Sequence, residues 1–326
     1  MGNRRNTGKS SNKRNKKLSE KSKDVCAREF FADHERYADI INGLICDGRQ
    51  IVTKGDLQIL DSRTGTKCRD LVRLVSFEGN LAVVGIENQD YIDYAMPQRV
   101  MMYESGEYDC QIAQIKRKHR RSKTKTTRNE YMGRIHKGDC LDPTVTLVLY
   151  YAAESWDGEK ELLGILNSTG IPEKFRKMVQ NYEIHIIEIR KLEDTSMFQT
   201  DVKQVFDFIR YASDKEKLEE LVRREPAFHE MERDAFEFIS HYVKASSLRE
   251  CQEYKREGDT VNMCRALEEI FNDGVTKGEA AGKIEGKEEE KKDTILRALA
   301  SEFSVEQIMF ICDCTADYVE QVRMGT

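Results

Sequence analysis

Three polar residues at the ends of two adjacent predicted strands are of the type that binds a divalent cation. Asp70, Glu87 and Gln89 flank the apolar residues of the stretch DLVRLVSFEGNLAVVGIENQ. Two neighbouring carboxylates repel each other, and hard oxygen ligands of this kind suit Mg²⁺ or Mn²⁺. Such an ion polarises a phosphoryl oxygen and lowers the pKa of a bound water molecule. The alternative is that these are solvated acidic residues of the kind common at strand ends.

The stretch has the pattern of a β-hairpin whose turn lies within Glu78–Asn80. If the first two residues of that segment form the loop, Asp70 faces Glu87; if the last two form it, Asp70 faces Gln89. Side chains alternate along a strand, so Glu87 and Gln89 share one face. Either register therefore gathers the three polar residues on one patch, where directly opposed Cβ atoms lie about 5 Å apart.

The flanking sequence extends this pattern on both sides. The stretches that carry a resemblance are Asp70 with Glu87-Asn88-Gln89, Phe31-Ala32-Asp33, Tyr37–Gly43, Tyr94–Tyr103 and Tyr108–Gln111. Together they resemble the PD-(D/E)XK nuclease superfamily and, within it, the Rpn group of recombination-promoting nucleases, also labelled putative transposases. The resemblance covers roughly residues 30–189. It implies an α/β fold, a restriction-endonuclease-like core with a mixed sheet, followed by a helical C-terminal region.

The resemblance also implies roles for individual residues. Asp70 and Glu87 would be catalytic metal ligands for Mg²⁺ or Mn²⁺. Gln89, at the position of the superfamily's lysine, where related members also carry glutamine, would be the third catalytic residue.

Two helices of the resembled fold are expected to add to this site. The first helix can lend the metal an acid, for which Asp39 is the candidate and Glu35 the second choice. A polar residue from the helix after the hairpin, Gln98, can face the metal site. For all three residues a solvated helix surface is the alternative.

Basic charge is concentrated in two segments, although the chain as a whole has a net charge of −5. Residues 1–23 contain nine Lys/Arg and one acid, and residues 116–128 contain eight Lys/Arg and no acid. Clustered basic charge is how proteins contact phosphate backbones. We therefore expect DNA to be the partner, bound through residues 116–128 and through a disordered N-terminal arm, residues 1–24. The alternatives are that residues 116–128 form a solvated loop without a partner and that residues 1–24 are a solubilising tail.

Several classes of protein are disfavoured by composition. No apolar run approaches the roughly 20 residues of a membrane span, and the basic N-terminus lacks the apolar region of a secretory signal. The nine cysteines are scattered without a paired CxxC framework for zinc. The lack of an apolar span predicts no membrane partner, and the cysteines, interpreted as reduced thiols, predict a cytoplasmic location.

Hydrophobic periodicity predicts the elements that hold the site. An apolar stripe from Tyr37 to Ile45 predicts a helix, and Leu57–Leu60 a short strand. A second helix is predicted from near Tyr91. Because Pro97 lies inside it, the regular helix either starts at Pro97 or kinks there. Two further strands are predicted, at Thr144–Tyr151, buried and central, and at Glu183–Ile189.

Beyond residue 200 the pattern is helical, and the chain divides into five predicted regions. These are a basic arm (1–24), the nuclease-like core (25–195), a helical extension (196–272), a charged segment with glycine every fourth residue (273–292) and a small helical module (293–326). The glycine-spaced segment predicts a flexible helical linker, with self-association as the alternative. Ser304 with Gln307, and Thr315, are predicted helix caps. The module favours a partner or homo-oligomer role over DNA docking because it is acidic.

Three functions follow as hypotheses. The first is a metal-dependent DNA endonuclease in recombination or transposition, as the resemblance implies. The second is a catalytically inactive DNA-binding protein on a nuclease fold. The third is a protein-interaction module built around the C-terminal helices.

Overall fold

The computed structural model describes residues 22–60, 71–121, 126–256 and 258–325. The chain divides into two compact units, with the division after Cys264. Among the helices of these described ranges, none is long and apolar enough to cross a membrane.

The first unit is built on a five-stranded mixed sheet. Its strands are β1 Leu57–Ile59, β2 Leu71–Phe77, β3 Asn80–Gln89, β4 Thr144–Tyr150 and β5 His185–Glu188, in the spatial order β1-β2-β3-β4-β5. Strands β1, β2 and β3 pair antiparallel, whereas β3 with β4 and β4 with β5 pair parallel. This confirms the predicted α/β class with a mixed sheet and a helical C-terminal region. The strand predicted at Thr144–Tyr151 is β4, which is flanked on both sides and almost wholly buried.

Helices surround the sheet and make up most of the rest of the first unit. They are α1 Lys23–Phe30, α2 His34–Leu44, α3 Met96–Arg121, α4 Arg128–Gly133, α5 Glu173–Arg176, α6 Val202–Tyr211, α7 Lys215–Arg224, α8 Arg233–Tyr242, α9 Ser246–Glu250 and α10 Gln252–Lys255. Short 3₁₀ helices occupy Lys54–Asp56, Leu162–Ile165, Ile189–Lys191 and Pro226–Glu230, and two short strands, β6 Met231–Glu232 and β7 Thr260–Val261, pair antiparallel.

The two faces of the sheet pack against different partners. On one face, Met96 and Val100 of α3 form a buried cluster with Val148 and Tyr150 of β4. On the other face, the Tyr151 hydroxyl donates to Asn88 Oδ1 at 2.9 Å, and its ring packs against aromatic residues of α8. Successive residues of β3 therefore point into different environments.

Residues 196–264 of the predicted helical extension lie in the first unit. Arg36 of α2 shows why, because its guanidinium bonds Asp201 at 2.7 Å and Asp234 at 2.5 Å. Burial lowers the pKa of Arg36, but the hydrogen bonds to these two carboxylates raise it by more, so the guanidinium stays charged. The extension thus closes the α2 side of the unit.

The predicted disordered arm, residues 1–24, reaches the described part of the chain only at its end. There the structure differs from the prediction, because α1 begins at Lys23 and is capped by Ser22, whose side chain accepts from the Val25 N–H. The remaining residues of the arm lie outside the described residues.

The second unit consists of three helices, α11 Met263–Ala300, α12 Val305–Cys312 and α13 Ala316–Met324, the first of which begins just before the boundary. Its core is formed by Ile295, Ile308, Val319 and Val322. Ser304 and Gln307 form a capping box on α12, and Thr315 caps α13, as predicted. The glycine-spaced segment 273–292 lies inside α11, so it is helical.

Candidate functional site

The hairpin register is fixed by a two-residue turn at Glu78 and Gly79. Both residues have positive φ, 51° and 91°, which is the backbone of the turns that match the twist of paired strands. Phe77 therefore pairs with Asn80, and the first of the two predicted registers is confirmed. The described pairing ends at Leu71 opposite Ile86. Asp70, the first predicted metal ligand, lies outside the described residues.

Glu87 and Gln89 lie on the same face of β3, as the alternation predicted. The Gln89 Nε2 atom donates to Glu87 Oε1 at 3.1 Å, and each residue is only 4% exposed. Their partners on β4 are Val148 and Tyr150, which belong to the cluster that packs against α3. The two polar residues therefore end a strand beneath α3, in a largely apolar surrounding.

Arg99 is the residue of this site that sequence reasoning missed. Its guanidinium forms an ion pair with Glu87 Oε1, donates to Asp93 Oδ2 at 2.7 Å and donates to the Tyr103 hydroxyl at 3.1 Å. Burial lowers the pKa of Arg99, but the hydrogen bonds to Asp93 and Tyr103 and the charge of Glu87 raise it by more. Arg99 therefore supplies a permanent positive charge next to the buried carboxylate.

The start of α3 explains why Arg99, and not Gln98, faces this site. The helix begins at Met96 with Pro97 in its first turn, where the absence of a proline N–H costs no hydrogen bond. This agrees with the predicted alternative of a start at Pro97. Because Met96 and Val100 point at the sheet, Arg99 projects towards the end of β3. Gln98, the predicted contributor, instead directs its amide at the Met102 thioether on the helix surface.

Gln89 has one atom that the described contacts leave unused. Its amide nitrogen donates to Glu87, whereas its Oε1 is buried and has no hydrogen-bond partner within the described ranges. The hydroxyl of Tyr150, its neighbour on β4, is likewise buried without a partner in that part of the chain. Burial, and the nearby charges of Glu154 and Glu188, raise the pKa of Tyr150. Of these two buried oxygen atoms, the Gln89 oxygen belongs to the amide that contacts Glu87.

Asp39, the predicted additional metal ligand, makes its contacts elsewhere. Its carboxylate accepts from the Gln199 N–H at 2.9 Å, from the Thr200 N–H at 2.8 Å and from the Thr200 hydroxyl at 2.6 Å. No contact among the described residues joins it to Glu87. Glu35, the second choice, is exposed and pairs with Lys54 at 2.6 Å. The contacts give Asp39 a structural role that was not predicted, and its role as a metal ligand stays a prediction.

The basic segment 116–128 begins on α3 and ends at α4, with residues 122–125 outside the described residues. Arg117, Lys118, Arg120 and Arg121 are exposed on the last turns of α3. In the ranges that the structure describes, no ion pair joins these four side chains to an acid. Their charge is therefore available to an external anion.

No protein-family model, curated protein or solved structure matches this chain. The resemblance to the Rpn group accordingly stays a prediction from the sequence.

Proposed function

We propose that this chain is a metal-dependent DNA endonuclease with a PD-(D/E)XK-type core, acting in recombination or transposition in the cytoplasm. The observation that carries the proposal is the meeting of Glu87, Gln89 and Arg99 on one face of the mixed sheet. Asp70 is included from the sequence alone. The exposed basic turns of α3 give the proposal a surface for the DNA backbone.

The donor atoms at this face fit Mg²⁺ or Mn²⁺. Both ions prefer carboxylate and amide oxygens, and Gln89 Oε1 is a buried amide oxygen without a described partner, beside the Glu87 carboxylate. Glu87 and Gln89, with Asp70, would hold the ion. When bound, such an ion supplies Lewis-acid polarisation of a phosphoryl oxygen and a more acidic water.

The chain's own residues prepare this face in two ways. Arg99 fixes one Glu87 oxygen, which sets the orientation of the carboxylate. Because the Gln89 nitrogen also donates to that oxygen, the Gln89 oxygen is the atom of the amide that remains for a ligand. The exposed arginines and lysines of α3 would hold the substrate phosphates.

One observation favours a second function, a noncatalytic DNA-binding protein on the same fold. Arg99 already forms an ion pair with Glu87, so the carboxylate has a cationic partner without a metal ion. This alternative predicts DNA binding with no cleavage in the presence of any divalent ion.

Nicking of supercoiled plasmid DNA tests the proposal. With Mg²⁺ or Mn²⁺ we expect cleavage by the full chain, and a loss of about a hundredfold or more in Asp70→Ala and Glu87→Gln, the scale typical of removing one electrostatic contributor. Glu87→Gln keeps the size of the buried side chain. Glu216→Gln, at an exposed acid of α7, is the matched control.

The same nicking assay, combined with a measurement of DNA binding, distinguishes the two functions. Cleavage that persists at full rate in both site variants would reject the assigned site. Retention of DNA by a chain that never nicks it would establish the noncatalytic alternative.

A further inference from the structure

Two histidines and an aspartate meet where the basic segment returns to the body of the first unit. His119 lies on the last turn of α3, and His136 and Asp139 lie in a tight turn after α4. The His119 Nε2 atom lies 3.0 and 2.8 Å from the two carboxylate oxygens of Asp139. The His136 ring stacks on the His119 ring with centroids 3.5 Å apart.

The turn holds the aspartate in a fixed orientation. Asp139 donates its backbone N–H to the His136 carbonyl at 3.0 Å, and its Oδ2 accepts from the His136 N–H at 2.6 Å. One ligand is therefore oriented by backbone before any ion arrives.

The donor set and its spacing match a transition-metal site. One donor atom from each residue lies within 4.8 Å of the other two. Four ligands at 2.0–2.1 Å around a tetrahedral Zn²⁺ are separated by about 3.3 Å. The proposed site requires the imidazoles, which are only partly buried, to rotate so that three donors reach one ion. Imidazole nitrogens select Zn²⁺ and its neighbours over Mg²⁺.

A second carboxylate lies in the surroundings of this cluster. Glu130 is close enough to His136 for the imidazole charge to contribute to lowering its pKa, mainly an effect of hydrogen bonds from Thr127. It accepts the backbone N–H of Lys137 at 3.3 Å, so it belongs to the same loop. A dication bound by His119, His136 and Asp139 would thus be stabilised by the Asp139 carboxylate as a ligand and by the negative charge of Glu130 nearby.

We propose that His119, His136 and Asp139 form a Zn²⁺-binding site whose fourth position is open to water. The ion joins the last turn of α3 to the turn that follows α4. Its role is to hold the end of α3, with its exposed basic residues, against that turn. The site stands on different residues from the Glu87 site and does not depend on the proposed nuclease activity.

Titration of the chelator-treated full chain with Zn²⁺, followed by calorimetry, tests the site. We expect one Zn²⁺ per chain, with binding at least tenfold weaker in His119→Ala, His136→Ala and Asp139→Asn, since loss of an outer-shell contact alone costs 10- to 100-fold. His185→Ala removes an exposed histidine of β5 and is the matched control. Glu87→Gln should also bind normally, which separates this site from the proposed Mg²⁺ site.

Co²⁺ titration gives a second measurement that identifies the ligands. Visible bands of tetrahedral Co²⁺ should appear without the near-ultraviolet charge-transfer band of a thiolate. A thiolate band would assign the metal to cysteines and overturn the proposal, as would unchanged Zn²⁺ affinity in His136→Ala or the absence of Zn²⁺ binding by the unmodified chain. Far-ultraviolet circular dichroism checks folding, and His136→Gln replaces any alanine variant that misfolds.

Discussion

At the scale of single residues, the ion pair with Arg99 stabilises the buried carboxylate of Glu87. A buried carboxylate is costly unless it is paired and hydrogen bonded. Arg99 pairs with it and is itself held by Asp93 and Tyr103. The consequence is that removal of Arg99 deprives the buried Glu87 carboxylate of this ion pair.

Arg99→Ala is therefore expected to lower the free energy of unfolding by about 3 kcal/mol, the scale for breaking a buried ion pair. Urea unfolding followed by fluorescence of Trp156, the single tryptophan, measures this in the first unit. Arg224→Ala, at an exposed arginine 3.8 Å from Glu225, is the control and should change stability by less than about 0.5 kcal/mol. If Arg99→Ala lowers the free energy of unfolding by no more than the small change expected for Arg224→Ala, the ion pair contributes nothing to stability.

Asp39 gives a test that separates a structural acid from a metal ligand. Asp39→Ala removes the acceptor of the Gln199 and Thr200 donors, so we expect a stability loss of about 2 kcal/mol. If the role is structural alone, any Mg²⁺-dependent nicking by the folded variant should keep its metal dependence. A shift of tenfold or more in the Mg²⁺ concentration needed would instead support the metal-ligand prediction.

Glu188, on β5, is expected to make the free energy of unfolding depend on pH. Burial raises its pKa, but the Lys191 side chain, 2.8 Å away, and the Trp156 N–H at 3.0 Å lower it by more. A pKa that is depressed in the folded state adds stability above the ordinary value of 4.5, and that stability is lost as the pH falls through the folded value. Glu188 should therefore stabilise the folded state at neutral pH.

The measurement compares the unmodified chain with Glu188→Gln between pH 3 and pH 7. The stability difference should be constant above about pH 5 and shrink below pH 4.5. A difference that grows on acidification would contradict the assigned direction of the shift.

At the scale of elements, the last turns of α3 determine how the protein meets an anion. Replacing Lys118, Arg120 and Arg121 together by glutamine should weaken DNA binding and reduce the slope of log affinity against log salt by up to about 2.7. The reason is that each lost phosphate contact releases about 0.9 fewer counterions. Fluorescence anisotropy at several salt concentrations measures the slope.

The control for this change lies on α7. Lys215, Lys217 and Arg224 are equally exposed, and their replacement by glutamine removes the same charge from another surface. A similar fall in the slope for both triple variants would indicate general electrostatic attraction rather than a clamp at residues 116–128.

The hairpin and α3 also show why some element positions follow from local sequence. The alternation of side chains along β3 places Glu87 and Gln89 on one face whichever register the turn adopts. Pro97 marks the start of α3 for an equally local reason. Which side chain of that helix faces β3 depends on its rotation about its axis, and Met96 and Val100 set that rotation through contacts with distant β4.

At the scale of the whole molecule, the division into two units predicts separate unfolding. Ile308→Ala creates a cavity in the core of the second unit and should cost that unit about 3 kcal/mol. The Trp156 fluorescence transition should stay where it is, whereas the helical signal at 222 nm should be lost in part at lower denaturant concentration. A parallel shift of both signals would show that the units unfold together.

Contacts between distant parts of the chain are what sequence reasoning did not supply. Asp39 meets Thr200, and Arg36 meets Asp201 and Asp234, across more than 150 positions. Periodicity identifies a buried face but does not name its partner, so the sequence did not indicate these pairings. His119 was hidden in the same way, because it lies within a run of basic residues and its neighbours come from a turn after α4.

Both outer strands of the sheet are short, three residues in β1 and four in β5, whereas the strands between them have seven to ten. An outer strand offers unpaired backbone groups that template the addition of a foreign strand, and short ones offer few. We therefore expect the chain to withstand high concentration without forming edge-to-edge aggregates.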